Sequence, residues 1–243
     1  MRTMTSRPAS AFRTTQLRVI EGAGAGAPDA LRALCETYWE PLYFFIRARG
    51  SAREDAEELT QQLFASLLVP GVLAKFDPRR GRFRSWLRGA AAHLLSNERD
   101  RRTARKHGGG WTRLDVDVDA AEGTFQQEAQ RALGPDQLFD RIWARTVTQR
   151  VLGRIRVEFE KEGKEAAFAR LEGLLSGEGS DTSEADEAEV RGKNVVALRV
   201  ERHRLKEKAR ARCLRYLREE IGQTVANPEA FDDEIRILFR AFD

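Results

Sequence analysis

The chain has 243 residues, 41% of them hydrophobic and 33% charged, with 42 basic against 38 acidic side chains. That is apolar material for one large or two small domains, and too much for a disordered chain. The longest uncharged run, Leu59 to Ala74, contains Gln61, Gln62, Pro70 and Gly71 and is too short and broken to cross a bilayer.

Other classes are excluded by small features. The N-terminus has no apolar export core, and the two cysteines, Cys35 and Cys213, lie far apart. Both fit a reduced, cytoplasmic setting without a disulfide framework. The three histidines and two cysteines have no metal-ligand spacing, so no metal or other cofactor is expected.

In chain order the pattern is helical nearly throughout, and an all-α fold is predicted. Residues 1–28 read as a flexible leader ending in a Gly-Ala repeat, which lacks the Gly-Lys-Ser/Thr of a phosphate loop. Asp29 is placed to cap a helix to about Arg49, kinked or split at Pro41. Ser51 with Glu54 reads as a capping box opening a second helix, which ends at Pro70-Gly71. Its apolar side carries Ala56, Leu59, Leu63, Phe64 and Leu67, and its other side is acidic and polar. A turn at Asp77–Gly81 leads into a helix from Arg82 to Ala104, with Trp86 expected to anchor it to the core.

Residues 111–134 read as loosely ordered. Helices are predicted from Pro135 to about Glu162, Lys164 to about Leu175, Asn194 to about Ile221, and Asp232 to Phe242. The last is amphipathic. It is expected either to complete a core or to pack on the 194–221 helix and modulate its access to DNA.

Charge is clustered along the chain. Arg79–His107 holds ten basic and two acidic residues, Arg191–Arg218 eleven and two, and Ser176–Val190 between them six acids and no base. Two basic helices are the footprint of a protein that grips a polyanion at two places.

The run from Leu34 to Tyr43, the "DAEELTQQLF" of Asp55–Phe64, the "DPRRGRFRSWL" of Asp77–Leu87, and Lys106–Gly110 carry a family signal. Together they resemble the extracytoplasmic-function (ECF) sigma factors of the sigma-70 type, high-GC subgroup. The resemblance covers about residues 12–110 and implies a region 2 domain at 29–110. Linker helices at 111–175 and a region 4-like domain at 176–243 would follow. It implies two partners, core RNA polymerase and promoter DNA. An anti-sigma factor is a further partner that the sequence leaves open, and no membrane insertion is expected.

By this resemblance Asp55, Glu58, Gln61 and Gln62 would face core polymerase. At the minus-ten element His93, Asn97 and Arg101 would face bases, and Arg84, Arg88 and Arg105 phosphates. At the minus-thirty-five element Arg199, Arg202 and His203 would lie near base edges, with Arg191, Lys193, Arg204 and Lys206 near phosphates. The first helix of that helix-turn-helix is divergent, because Ser183–Gly192 has one large apolar residue, Val190. The implied function is promoter recognition and opening in transcription initiation. The alternatives are a sigma-derived adaptor that docks on polymerase or another assembly, and a basic DNA-binding protein. No paired-carboxylate, nucleophile or metal pattern suggests an enzyme.

Overall fold

The computed structural model describes residues 20, 22–23, 27–104, 117–176, 192, 194–222, 225 and 228–241, and for 99–104, 173–176 and 228 the backbone alone. Among these residues the chain is all-α, as expected. The helices are α1 (Pro28–Ala48), α2 (Arg53–Leu67), α3 (Phe83–Ala104), α4 (Val118–Ala129), α5 (Pro135–Lys161), α6 (Glu165–Ser176), α7 (Val195–Gly222) and α8 (Pro228–Arg240). One 3-10 turn spans Leu73–Lys75. Two compact units form: Met1–Val147 with Ile221–Asp243, and Thr148–Glu220. The C-terminal helix falls in the first unit.

In the first unit α1 is the central element, packing on α2, α3 and α4. Its residues Pro41 to Ile46 are all buried, so this stretch is apolar all round. Pro28 at its first turn sacrifices no helical hydrogen bond, and Asp29 there suits the helix dipole. Contrary to expectation, Asp29 is not the cap; of the two outcomes expected at Pro41, a split does not occur, and the proline lies inside one continuous helix. Rings knit the core: Phe83 meets Tyr38 edge-on at 5.5 Å, Phe76 meets Phe83 at 5.2 Å, and Phe44 meets Phe125 at 5.5 Å. Trp86 stacks on Phe83 at 5.6 Å but stays half-buried. The Ser51–Glu54 capping box does not form. The helix begins one residue later, with Ala52 at its cap and no side-chain cap bond.

Helix α4 occupies part of the stretch expected to be loose. Asp117 caps it, accepting from the Ala120 N–H at 2.9 Å. Its Glu122 accepts from Tyr43 Oη at 2.5 Å and from Arg47 Nε and Nη2 at 3.0 and 2.6 Å. These contacts tie α4 to the central helix. The bond from Arg47, with help from Tyr43 and Gln126, holds the Glu122 carboxyl down at about 2.

The second unit takes the end of α5, α6 and most of α7. Phe159 and Phe168 pack at 5.8 Å, within a core that includes Val151, Ile155, Leu171 and Leu198. Asn194 caps α7, accepting from the Ala197 N–H at 2.6 Å. Arg212, nearly buried, lies over the Phe159 ring and pairs with Glu158 at 3.0 Å and with Glu162.

Candidate polymerase and nucleic-acid interface

Helix α2 is two-faced because its apolar residues recur at helical spacing. Ala56, Leu59, Thr60, Leu63, Phe64 and Leu67 are buried. Glu54 and Glu58 are exposed, and Asp55, Gln61 and Gln62 are partly so. Gln61 Nε2 donates to Glu57 at 3.1 Å and Gln62 Nε2 to Glu58 at 3.0 Å, one turn apart. All four residues assigned to a polymerase contact therefore lie on the outer side of one helix. Beyond its end, Leu68 and Val69 are 42% and 54% exposed.

Helix α3 separates the residues assigned to DNA. His93 and Asn97 are exposed one turn apart, with the amide nitrogen 3.2 Å from His93 Nδ1. Gly89 and Ser96 share that exposed stripe. Arg101 lies in the last turn with its side chain outside the described residues, as does all of Arg105.

Arg84 is a correction. It is 3% exposed, so it presents no surface to a phosphate. Its Nε donates to Glu234 at 2.6 Å, its Nη1 to Asp140, and its guanidinium lies 5.1 Å over the Trp143 ring. The register explains this: Arg84, Leu87, Ala91 and Leu95 follow core spacing along α3 and all are buried. Burial works against its charge, but Glu234 and Asp140 outweigh that and hold the guanidinium protonated. Burial also pushes the Glu234 carboxyl above the usual range, with Arg84 and Arg82 opposing.

Arg88 is corrected in part. It is half-buried and pairs with Asp136 and Asp140 of α5 at 3.3 and 3.4 Å. The expected basic face of α3 is thus neutralised from within near its start.

In the second unit, Arg199, His203, Arg204 and Lys206 are exposed on α7 and Arg202 is partly so. Arg191 and Lys193 lie outside the described residues, as does most of the divergent first helix of the helix-turn-helix. Part of the positive charge of α7 is paired with acids at the end of α5 and just beyond it: Lys208 reaches Glu162 at 2.8 Å, Arg215 pairs with Glu158, and Arg212 with both. In the reverse sense Glu220 of α7 accepts from Arg150 and Arg154 of α5 at 3.1 and 3.2 Å. Among the described residues no group of three or more His, Cys, Asp or Glu could hold a metal, and no helix is long and apolar enough to cross a membrane.

Sequence reasoning missed Glu122, Asp140 and Glu234. A signal existed for Glu234, which falls between Phe231 and Leu238 on the apolar side of its helix, where an unpaired acid would be costly. No family model, curated protein or solved structure matches the chain.

Proposed function

We propose that the chain is a sigma-type initiation factor that docks on core RNA polymerase through the outer side of α2 and meets promoter DNA through α3. The reading rests on the sequence motifs. The observation that supports it best is that α2 and α3 fold into one unit with both assigned surfaces outward: the acidic-polar face of α2, and the His93–Asn97 stripe of α3. A narrow stripe of hydrogen-bonding side chains without Lys or Arg suits contact with unpaired bases better than contact with phosphates. The basic outer side of α7 offers a second DNA contact. Work on the polymerase implies a cytoplasmic site of action and no catalysis by the chain itself.

Replacing His93 and Asn97 together by alanine is expected to leave polymerase binding intact. Promoter opening should fall by about 30- to 150-fold, at ~1–1.5 kcal/mol for each of the two lost polar contacts. Permanganate footprinting of the melted strand by reconstituted holoenzyme reads this, and unchanged opening would remove the stripe from the interface.

The internal pairing of Arg84 and Arg88 gives the adaptor reading its footing, because it leaves α3 with fewer phosphate contacts. A start-site-specific transcript separates the two readings: the adaptor yields none even when docked.

A further inference from the structure

We propose that α8 is a detachable carboxylate clamp on the basic start of α3, with Asp233 and Glu234 standing where nucleic-acid phosphates would otherwise meet Arg82 and its neighbours. The proposal rests on the DNA-facing role of α3 given above.

The contacts form a ladder. On the outer rung, Arg82 Nη2 lies 3.3 Å from Asp233 and its Nε 3.0 Å from Glu234. On the inner rung, Arg84 Nε lies 2.6 Å from Glu234. Asp233 also pairs with Arg236 on its own helix. A carboxylate engages a guanidinium fork in the way a phosphodiester oxygen does, through charge-assisted N–H bonds. Two acids of one helix thus satisfy two arginines that open the helix assigned to DNA.

Packing alone does not call for these acids. A terminal helix docks by burying apolar side chains, and a buried ion pair seldom outperforms hydrophobic residues of similar volume. Yet Glu234 is 2% exposed, on the side of α8 that carries Leu238. Its placement is accounted for by what it faces.

Detachment is physically accessible. Of the side chains described in α8, Glu234 and Leu238 are buried and the rest are partly or fully exposed. Beyond them the tail is held by Arg141 Nη1, which donates to the Ala241 carbonyl at 2.8 Å. The outer rung is open to competition, with Arg82 and Asp233 34% and 41% exposed. Asp136 and Asp140, the other acids on this face, belong to the 27-residue α5, which also runs into the second unit. The movable partner of the arginines is α8.

The test is binding of a fluorescent single-stranded DNA to the full chain, by anisotropy, from about 50 to about 300 mM KCl. Wild type is set beside Asp233→Asn and Leu238→Ala, each checked by circular dichroism. The first variant removes an outer carboxylate, and the second loosens α8 with no change of charge. The clamp predicts binding at least about threefold tighter in both variants, with a salt slope steeper by about 0.7 for each phosphate newly engaged. A gain in Asp233→Asn alone would be a simple charge effect and would overturn the clamp, as would weaker binding in Leu238→Ala. Equal binding by all three chains would overturn the clamp and leave the DNA-facing reading standing. No binding by any of them, free or with core polymerase, would overturn both.

Discussion

Replacing Arg84 by alanine is expected to destabilise the first unit by about 3–5 kcal/mol, out of a total that for a domain is typically about 5–15 kcal/mol. The substitution leaves Glu234 buried without its main partner and removes one partner of Asp140, while the hole beside Trp143 forfeits packing. The cost comes from the stranded carboxylates and not from the intrinsic strength of the pair. Arg84→Met combined with Glu234→Leu should therefore recover at least half of the loss, because Asp140 keeps Arg88 and is partly exposed. Trp39, Trp86 and Trp143 lie in the first unit and the Thr148–Glu220 stretch has no tryptophan in its sequence, so urea unfolding followed by tryptophan fluorescence does not read the second unit. An Arg84→Ala chain of wild-type stability would show that the Arg84 pairs with Glu234 and Asp140 do not hold the first unit together.

The second large effect belongs to Glu122. Its carboxyl is a stronger acid in the folded chain than in the unfolded one, because Arg47 and Tyr43 hold its charged form. A carboxylate shifted this way contributes stability in full above its ordinary range, and loses it as pH falls toward its folded value of about 2. Glu122→Gln should cost ~2 kcal/mol near neutral pH, after allowance for solvent screening of a pair close to the surface. The gap between wild type and variant should narrow steadily as pH drops from about 4.5 to about 2. Glu234 and Glu40 act in the opposite direction, since burial raises both carboxyls. The comparison is therefore made against Glu122→Gln and not on the wild-type curve alone. A gap independent of pH would show that the Tyr43–Arg47–Glu122 network stabilises only by shape.

How far the sequence carried the fold depended on the strength of the apolar pattern. Helices α1, α2, α3, α5 and α7 bury long stripes, and the expected boundaries agree with the observed ones to within a few residues. Helix α4 buries just Ala121 and Phe125, a stripe two residues long, so periodicity had little to register. Two cap assignments failed for a geometric reason. Asp29 and Ser51 are typical capping residues, yet Pro28 starts α1 two residues earlier than a cap at Asp29 would, and α2 starts one residue later than a cap at Ser51 would.

The candidate site was legible where side chains face outward and illegible where pairing is long-range. Glu58 and His93 are exposed, as their helical registers imply. Counting charge along the chain could not reveal that Arg84 is spent on Asp140 and Glu234, 56 and 150 residues away in sequence. The same holds for Arg212, whose partners Glu158 and Glu162 come from another helix. A run of basic residues marks a candidate surface, but the acids that neutralise it lie on other helices.

The proposed docking of α2 on core RNA polymerase is tested by direct binding. Purified chain is titrated onto purified core polymerase, wild type beside a Glu58→Arg/Gln61→Arg variant whose changes lie on the outer side of α2, away from the core. Docking through α2 predicts tight binding by the wild type and a loss of at least about a hundredfold in the variant, since like charges set against each other across an interface cost several kcal/mol. No binding by the wild type, or equal binding by both chains, would contradict it.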